Sequence, residues 1–480
     1  MARDGERFPS TALGWAEAFR LGTARPIDAV EHYLARIEEL DATVGAFVRL
    51  TPDRAREQAA EAGRRWEQGL TQSRLDGVPT GIKDLASTRG VETTFGSAAM
   101  RGHIPDFSDE VVRRIEGAGM VSLGKTNTPE FGAPCYTEPE VAPPARTPYD
   151  LTRSAGGSSG GAAAAVAAGL VPVAHASDGG GSIRIPASVT GLVGFKPSRG
   201  RISSAPIYGD ITGLSTSGPL ASNVRDSAAF MDVMVGPAVT DSDWAVGPPD
   251  GATYLDWCGR EPGRLLVARF STPMIADVAV DSEVLAAYDA MSARLAALGH
   301  ELVEVPQPFR HDIVSTFETV WSVMTASWPL PPAAEEQVRP LTRWLRERGA
   351  RVSAVEFFDA MVRMRQAAAG ALGMLAPYDV VLTPTLAQPP ALVGALRDDD
   401  DPAQDFENQK AFSPFTAAWN VTGMPAVSLP TGWTSSGLPI GTMLAAKPGQ
   451  DHVLYALAAQ VEAVVEPASR GWSRPTLSLR

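Results

Sequence analysis

Two serines in glycine-rich surroundings, Ser158 in GGSSGG and Ser182 in DGGGS, and a lysine among apolar neighbours, Lys83 in TGIKDL, are of types that together could break an acyl bond. Glycine costs conformational entropy, so Gly179, Gly180 and Gly181 ahead of a serine are expected where backbone must approach something closely. One reading is that the N–H groups of Gly179, Gly180, Gly181 and Ser182 converge on a developing oxyanion, with the Ser182 hydroxyl aimed at the same point. That makes Ser182 a nucleophile. The other reading is a tight turn between strands, which glycine and serine also build.

A serine nucleophile needs a base, usually histidine. The six histidines, His32, His103, His175, His300, His311 and His452, stand in ordinary contexts. Residues 156–160 satisfy G-x-S-x-G, but that elbow calls for an acid and then a histidine downstream, and no persuasive pair follows. Lys83 is left. An amine in an apolar segment either reaches out to water, pairs with a carboxylate such as the adjacent Asp84, or is held neutral and accepts a proton. If Lys83 is too short to reach Ser182, a second hydroxyl must carry the proton, and Ser158 at the start of an alanine-rich helix is that candidate.

Two further patterns imitate other chemistries. Residues 119–126, GMVSLGKT, match the phosphate-binding G-x-x-x-x-G-K-[ST]. That loop needs a strand before it and a helix after it, whereas here a helix precedes and Asn127-Thr128-Pro129 follow. Ser122-Leu-Gly-Lys125 imitates S-x-x-K, but on a predicted strand instead of a helix start. The acidic run Asp398 to Asp401 reads as a solvated loop, not a metal site.

These residues must be held by an α/β scaffold. Helical spacing covers residues 10–70, with Leu13, Ala16, Phe19, Val30, Leu34 and Ile37 on the apolar side. Residues 75–88 read as a strand carrying Lys83, 109–117 as a helix and 120–124 as a strand. The second serine follows a short apolar strand, and 191–203 reads as a turn and strand near the site. Further strands are expected at 263–270, 301–305, 378–383, 426–429 and 440–445. Helices are expected at 281–298, at 451–465 capped by Asp451, and between Asp312 and Leu375, where Trp321, Trp328, Trp344, Phe357 and Phe358 read as core. Strand and helix signals interleave without repeats or a linker, so one large domain, residues 1–480, around a mixed β-sheet is predicted.

Composition bounds the partners. The 480 residues carry a net charge of −13 and are 44% hydrophobic, which argues against a general affinity for nucleic acids. Two cysteines, Cys135 and Cys258, make neither a disulfide framework nor a metal cluster and fit a reducing cytoplasm. The N-terminus lacks the apolar core of a signal peptide, and the most apolar run, 161–176, is too short to span a bilayer. No cofactor, metal, nucleic acid or membrane is expected.

The segments GIKD at Lys83, GKTNTPEFG from Gly124, GGSSGGAAAAVAAG from Gly156 and SDGGGSIRIPAS from Ser177 resemble, in this order, the amidase signature family. The likeness is strongest over residues 75–205 and extends to PYDVVLTPT from Pro377 and WNVTGMPAVSLPTG from Trp419. It implies an α/β fold in which 1–70 is a helical N-terminal part, 75–205 the signature core and 300–420 a variable, substrate-shaping region. It also implies hydrolysis of a small-molecule amide, carbamate or ester without cofactor. Ser182 is then the acyl-enzyme nucleophile, Ser158 the bridging serine behind a cis peptide bond, Lys83 the base, and Gly179, Gly180, Gly181 and Ser182 the oxyanion-hole amides. Asp178 and Arg184 support the loop.

The chain departs from the common pattern at Thr147, where asparagine is usual, and at Ser177 and Gly179, where threonines are common. SDGGGS with Thr137-Glu138-Pro139 is similar to a subgroup containing cyclic aminohexanoate dimer hydrolases and related aryl amidases and urethanases. The alternative within the resemblance is a glutaminase subunit of a tRNA-dependent amidotransferase. A homodimer is an open possibility.

Overall fold

The central strands are short, apolar and buried, as expected of strands covered on both faces. In the computed structural model, which describes residues 8–206, 210–309, 313–330 and 332–465, eleven strands make one mixed sheet flanked by helices. They are β1 (Phe47–Leu50), β2 (Pro79–Lys83), β3 (Val121–Thr126), β4 (Val173–Asp178), β5 (Val193–Lys196), β6 (Thr216–Ala221), β7 (Leu266–Arg269), β8 (Glu301–Glu304), β9 (Val380–Pro384), β10 (Ala426–Trp433) and β11 (Pro439–Ala446). Their order across the sheet is β1-β3-β2-β4-β6-β5-β10-β11-β9-β7-β8. β2 runs parallel to β3 and β4, and β7 parallel to β8 and β9; all other neighbours are antiparallel.

The site gathers at the carboxyl ends of β2 and β4, where open α/β sheets present their crevices. The helix Gly160–Ala167 is buried along its whole length and packs on β2, β4 and β6. Its alanines and glycines permit that approach, since a Cβ on Gly161 would lie 2.3 Å from Asn127 N and 2.5 Å from Ala46 O. The helix Arg184–Thr190 packs on β5, β10 and β11. Three helices, Ile313–Ala326, Pro340–Ala350 and Ala354–Leu375, pack together over a second apolar cluster that includes Phe270, Met364 and Trp419. Among the described residues no helix is long and apolar enough to cross a membrane.

Several expectations need correction. Residues 10–70 are not all helical: β1 interrupts them as a four-residue edge strand on β3, too short for a period-two pattern to show. β6, rich in Ser, Thr, Gly and Pro, carries little strand signal and is held by β4 on one side and β5 on the other. Asp451 begins its helix, but its carboxylate accepts the N–H and hydroxyl of Ser198 at 2.8 and 2.6 Å and pairs with Arg201 at 2.9 Å. It ties the chain after β5 to the C-terminal helix. His311 and Asp312 lie outside the described residues.

Gly161→Ala should destabilise the fold by about 1–3 kcal/mol, the usual cost of overpacking. Urea denaturation checks this, and an unchanged midpoint would contradict the close helix-to-strand approach.

Candidate active site

Lys83 ends β2 with no solvent exposure. Its Nζ donates to Ser158 Oγ at 2.9 Å and to the Ser177 carbonyl at 3.1 Å. Burial pushes the amine down to about 7, against the opposing pull of the Asp178 carboxylate, so near neutral pH the proton-free form is abundant. Asp84 is not its partner. Successive strand residues face opposite sides, and Asp84 instead lies 3.5 Å from Lys125 Nζ and accepts the Thr94 hydroxyl at 2.6 Å. That pair uses the lysine of the phosphate-loop look-alike: Lys125 sits in β3, buried, and also donates to Ala86 O and Thr93 Oγ1.

The Gly157–Ser158 peptide bond is cis. Ser158 O accepts the Thr128 hydroxyl at 2.9 Å, so the GKTNTPEFG segment lies directly beneath it. The two serine loops are tied by Ser159 N–H to Ser182 O at 3.2 Å, and Ser159 Oγ donates to Ser177 O at 3.1 Å. Ser182 is 8% exposed, and its hydroxyl makes no hydrogen bond among the described residues, to Ser158 or to any other. The structure therefore brings Lys83 and Ser158 into contact and leaves Ser182 Oγ open towards a cavity.

Asp178 and Arg184, both fully buried, brace the glycine loop. Asp178 Oδ1 accepts from Gly181 N at 2.7 Å, Arg184 Nη2 at 2.9 Å and Asn420 Nδ2 at 2.9 Å; Oδ2 accepts from Ile183 N at 3.1 Å and Arg184 Nε at 2.9 Å. Burial alone would raise this carboxyl, but the Arg184 guanidinium outweighs it and holds Asp178 far below the usual range. The arrangement corrects one expectation: the Gly181 N–H is committed to Asp178, so the amides without a partner among the described residues are those of Gly179, Gly180 and Ser182. Gly181 is glycine for a steric reason, with φ at 136° and a virtual Cβ 2.3 Å from Thr416 Oγ1.

Ser182 and Gly180 face a cavity of about 80 Å³ walled by Ile185, Met274, Phe309, Phe317, Trp321 and Val421. Phe317 and Trp321 stack at 5.4 Å, and the Trp321 benzo edge lies about 3.5 Å from where a Gly179 Cβ would be. Trp321 was expected in the core and is instead a cavity wall. The other aromatics do pack: Trp328 against Phe95 and Phe131, Trp344 against Phe406, and Phe357 against the second cluster, while Phe358 is exposed. The polar elements of the wall include Lys410, which pairs with Glu318 at 2.6 Å. The acidic run is spent on structure: Asp399 pairs with Arg339 and Arg397, and Asp401 caps the helix Pro402–Phe412.

Three participants escaped sequence reasoning. Asn420 and Thr416 reach the glycine loop from more than 230 residues away, Thr416 Oγ1 donating to Gly180 O at 2.7 Å. Asn420 lay in a recognised motif, but nothing local marks its target. His175 abuts Lys83, its Nδ1 accepting the Lys83 N–H at 3.3 Å.

Asp178→Asn should cost about 3–5 kcal/mol of stability, because it leaves the Arg184 charge buried without its counter-ion. Denaturant titration reads this, and a loss below about 1 kcal/mol would mean that Thr416 O and Asn420 alone satisfy the guanidinium.

The chain is similar to known proteins over nearly its whole length. The Amidase family model matches residues 28–455. The 6-aminohexanoate-cyclic-dimer hydrolase of Paenarthrobacter ureafaciens is 34% identical over 491 residues, covering 97% of this chain and 96% of that protein. The structure of a 6-aminohexanoate cyclic dimer hydrolase complexed with substrate superposes with a TM-score of 0.86 at 31% identity, covering 96% of this chain and 98% of the other. A bacterial aryl acylamidase of the amidase signature family superposes with a TM-score of 0.86 at 27% identity, covering 98% and 99%. The chain is thus a hydrolase of the α/β architecture shared by these enzymes, and it belongs to the amidase signature family.

Proposed function

We propose that this chain hydrolyses small-molecule amides, or the related carbamates and esters, through an acyl-enzyme on Ser182, with Ser158 and Lys83 as proton relay. One observation carries the reading: a buried amine whose pKa lies near 7 is hydrogen-bonded at 2.9 Å to a serine, and that serine's loop is tied to the loop of a second serine facing a cavity. Ser182 Oγ attacks the carbonyl carbon. Its proton passes to Ser158 Oγ as Ser158 passes its own to Lys83 Nζ, and the Gly179, Gly180 and Ser182 amides receive the developing oxyanion. The relay then returns the proton to the leaving amine as the C–N bond breaks. Water, deprotonated by the same route, releases the acid. The reading requires Ser182 Oγ to close on Ser158 when substrate binds; hydrogen bonds of this kind are commonly long in the free enzyme.

The cavity favours substrates with an apolar, flat or branched group next to the scissile carbonyl, because Phe317, Trp321 and Phe309 supply aromatic rings and few polar groups line it. Its walls come largely from residues 300–420, which supports that segment as the substrate-shaping region; Met274, Ile275 and the loop 133–135 add to it. Anilides and carbamates of aromatic amines fit this description.

Ser182→Ala should abolish turnover and labelling by a fluorophosphonate, and Lys83→Ala should lower kcat by about 10²–10⁴-fold with little loss of fold. Labelled Ser182→Ala, or a fully active Lys83→Ala, refutes the assignment. The rate should also depend on pH in one direction: protonation of Nζ removes the lone pair that accepts the proton, so kcat/KM falls as pH drops through about 7. A profile measured with a neutral anilide checks this; a flat profile between pH 5.5 and 8 would mean that another group is the base.

A further inference from the structure

The wedge in the sheet beside Lys83 contains a histidine that the relay does not use. β4 stays paired with β6 as far as Asp178↔Thr216, but its register with β2 ends at Gly81↔Ala174. Past that point β2 and β4 part, and the Ser158–Ser159 turn enters the gap, Ser159 Oγ reaching Ser177 O and Ser158 Oγ reaching Lys83 Nζ. Lys83 thus stands at the end of a strand that has lost its backbone partner on this side. His175 replaces that partner: its Nδ1 accepts the Lys83 N–H at 3.3 Å, and its Nε2 lies 3.1 Å from Ser217 Oγ on β6.

We propose that His175 is a positioning residue for the Lys83–Ser158 pair: its imidazole continues the sheet's hydrogen bonding by a side chain and so aims Nζ at Ser158 Oγ and the Ser177 carbonyl. An Nδ1 that accepts must leave the ring proton on Nε2, where it donates to Ser217, so the two contacts fix one tautomer. The imidazole is 1% exposed, and burial, aided by the charges of Lys83 and Lys125, pushes it down to about 3. It stays neutral at every pH at which the fold is expected to work, and an acceptor it remains. The charged groups acting on this pair are Asp178 at the end of β4 and Lys125 on β3 with its own partner Asp84. A rigid acceptor at Nδ1 matters because it fixes the Lys83 main chain, while among the described residues the amine itself has two hydrogen-bond partners, one of which is the relay serine Ser158.

The inference rests on Lys83 being the base, and the test separates the two. In the full-length chain, His175→Leu keeps bulk and removes the acceptor, whereas His175→Asn places a carbonyl oxygen near the position of Nδ1. His175→Leu should lower kcat about 10–100-fold with KM changed less than about twofold, and should displace the acid limb of the pH profile; His175→Asn should recover kcat to within about threefold of wild type. Ser217→Ala, which frees the Nε2 end without touching Lys83, should lower kcat about two- to fivefold alone and have no effect in the His175→Asn background, where that donor is gone. This second pair keeps the test open if His175→Leu does not fold. Equal losses in the Leu and Asn variants, an unaffected kcat in His175→Leu, or an additive Ser217→Ala would overturn the positioning role. Lys83→Ala and Ser182→Ala run alongside: if they abolish turnover while the His175 variants are silent, only this inference fails; if they retain it, the relay itself fails.

Discussion

The site depends on the exclusion of water from one amine. A lysine in solvent holds its proton at neutral pH and cannot serve as a base; at the end of β2, with no exposed surface, the charged form loses its hydration and the neutral form becomes competitive. Everything near Lys83 follows from keeping that environment dry and polar only where needed. The poly-alanine helix Gly160–Ala167 seals one side with small side chains, and the polar groups admitted to Nζ itself are a hydroxyl and a carbonyl. Asp178 is close enough to oppose the shift but is itself neutralised by Arg184, so it does not restore the lysine's charge.

That neutralisation links the two halves of the site. Asp178 ends β4, and its carboxylate is spread over loop amides, the Arg184 guanidinium and Asn420. The glycine loop before Ser182 is therefore tied down by a buried ion pair whose desolvation cost is offset by its hydrogen bonds. One consequence is that Gly181 belongs to the brace and not to the set of amides free to face a substrate. The brace also reaches across the sheet order: Arg184 Nη1 donates to Thr416 O and Asn420 accepts from Nη2, coupling the loop to the segment that walls the cavity. The loop that carries Ser182 and the wall of the cavity thus share a support.

The cavity shows how a plain packing pattern comes to line an opening beside a loop. Phe317 and Trp321 are one helical turn apart, which by itself is what any core-facing helix displays. They line a cavity because the helix Ile313–Ala326 packs with its neighbours beside the glycine loop, where Gly179 and Gly180 have no side chains to occupy the space in front of the indole.

What the sequence by itself determined was local form and the residue types on which the proposed chemistry rests. Two glycine-flanked serines, an embedded lysine and the absence of a well-placed acid–histidine pair single out the residues proposed as a relay, and interleaved strand and helix patterns were enough for a mixed sheet. The α/β class and most of the strands carry strong periodic signals, while β1 is too short and β6 too polar to show one. Only the tertiary structure decided which polar groups meet. Whether Lys83 faced Asp84, water or Ser158 depended on which side of β2 the β4 strand approaches. Whether Gly181 faced a substrate or Asp178 depended on a loop conformation, and whether His175 was an ordinary strand residue or a partner of Lys83 depended on where two parallel strands diverge. Contacts between residues 92 to more than 230 positions apart leave no trace in local spacing, because they are set by the closing of the sheet and not by any segment's own preference.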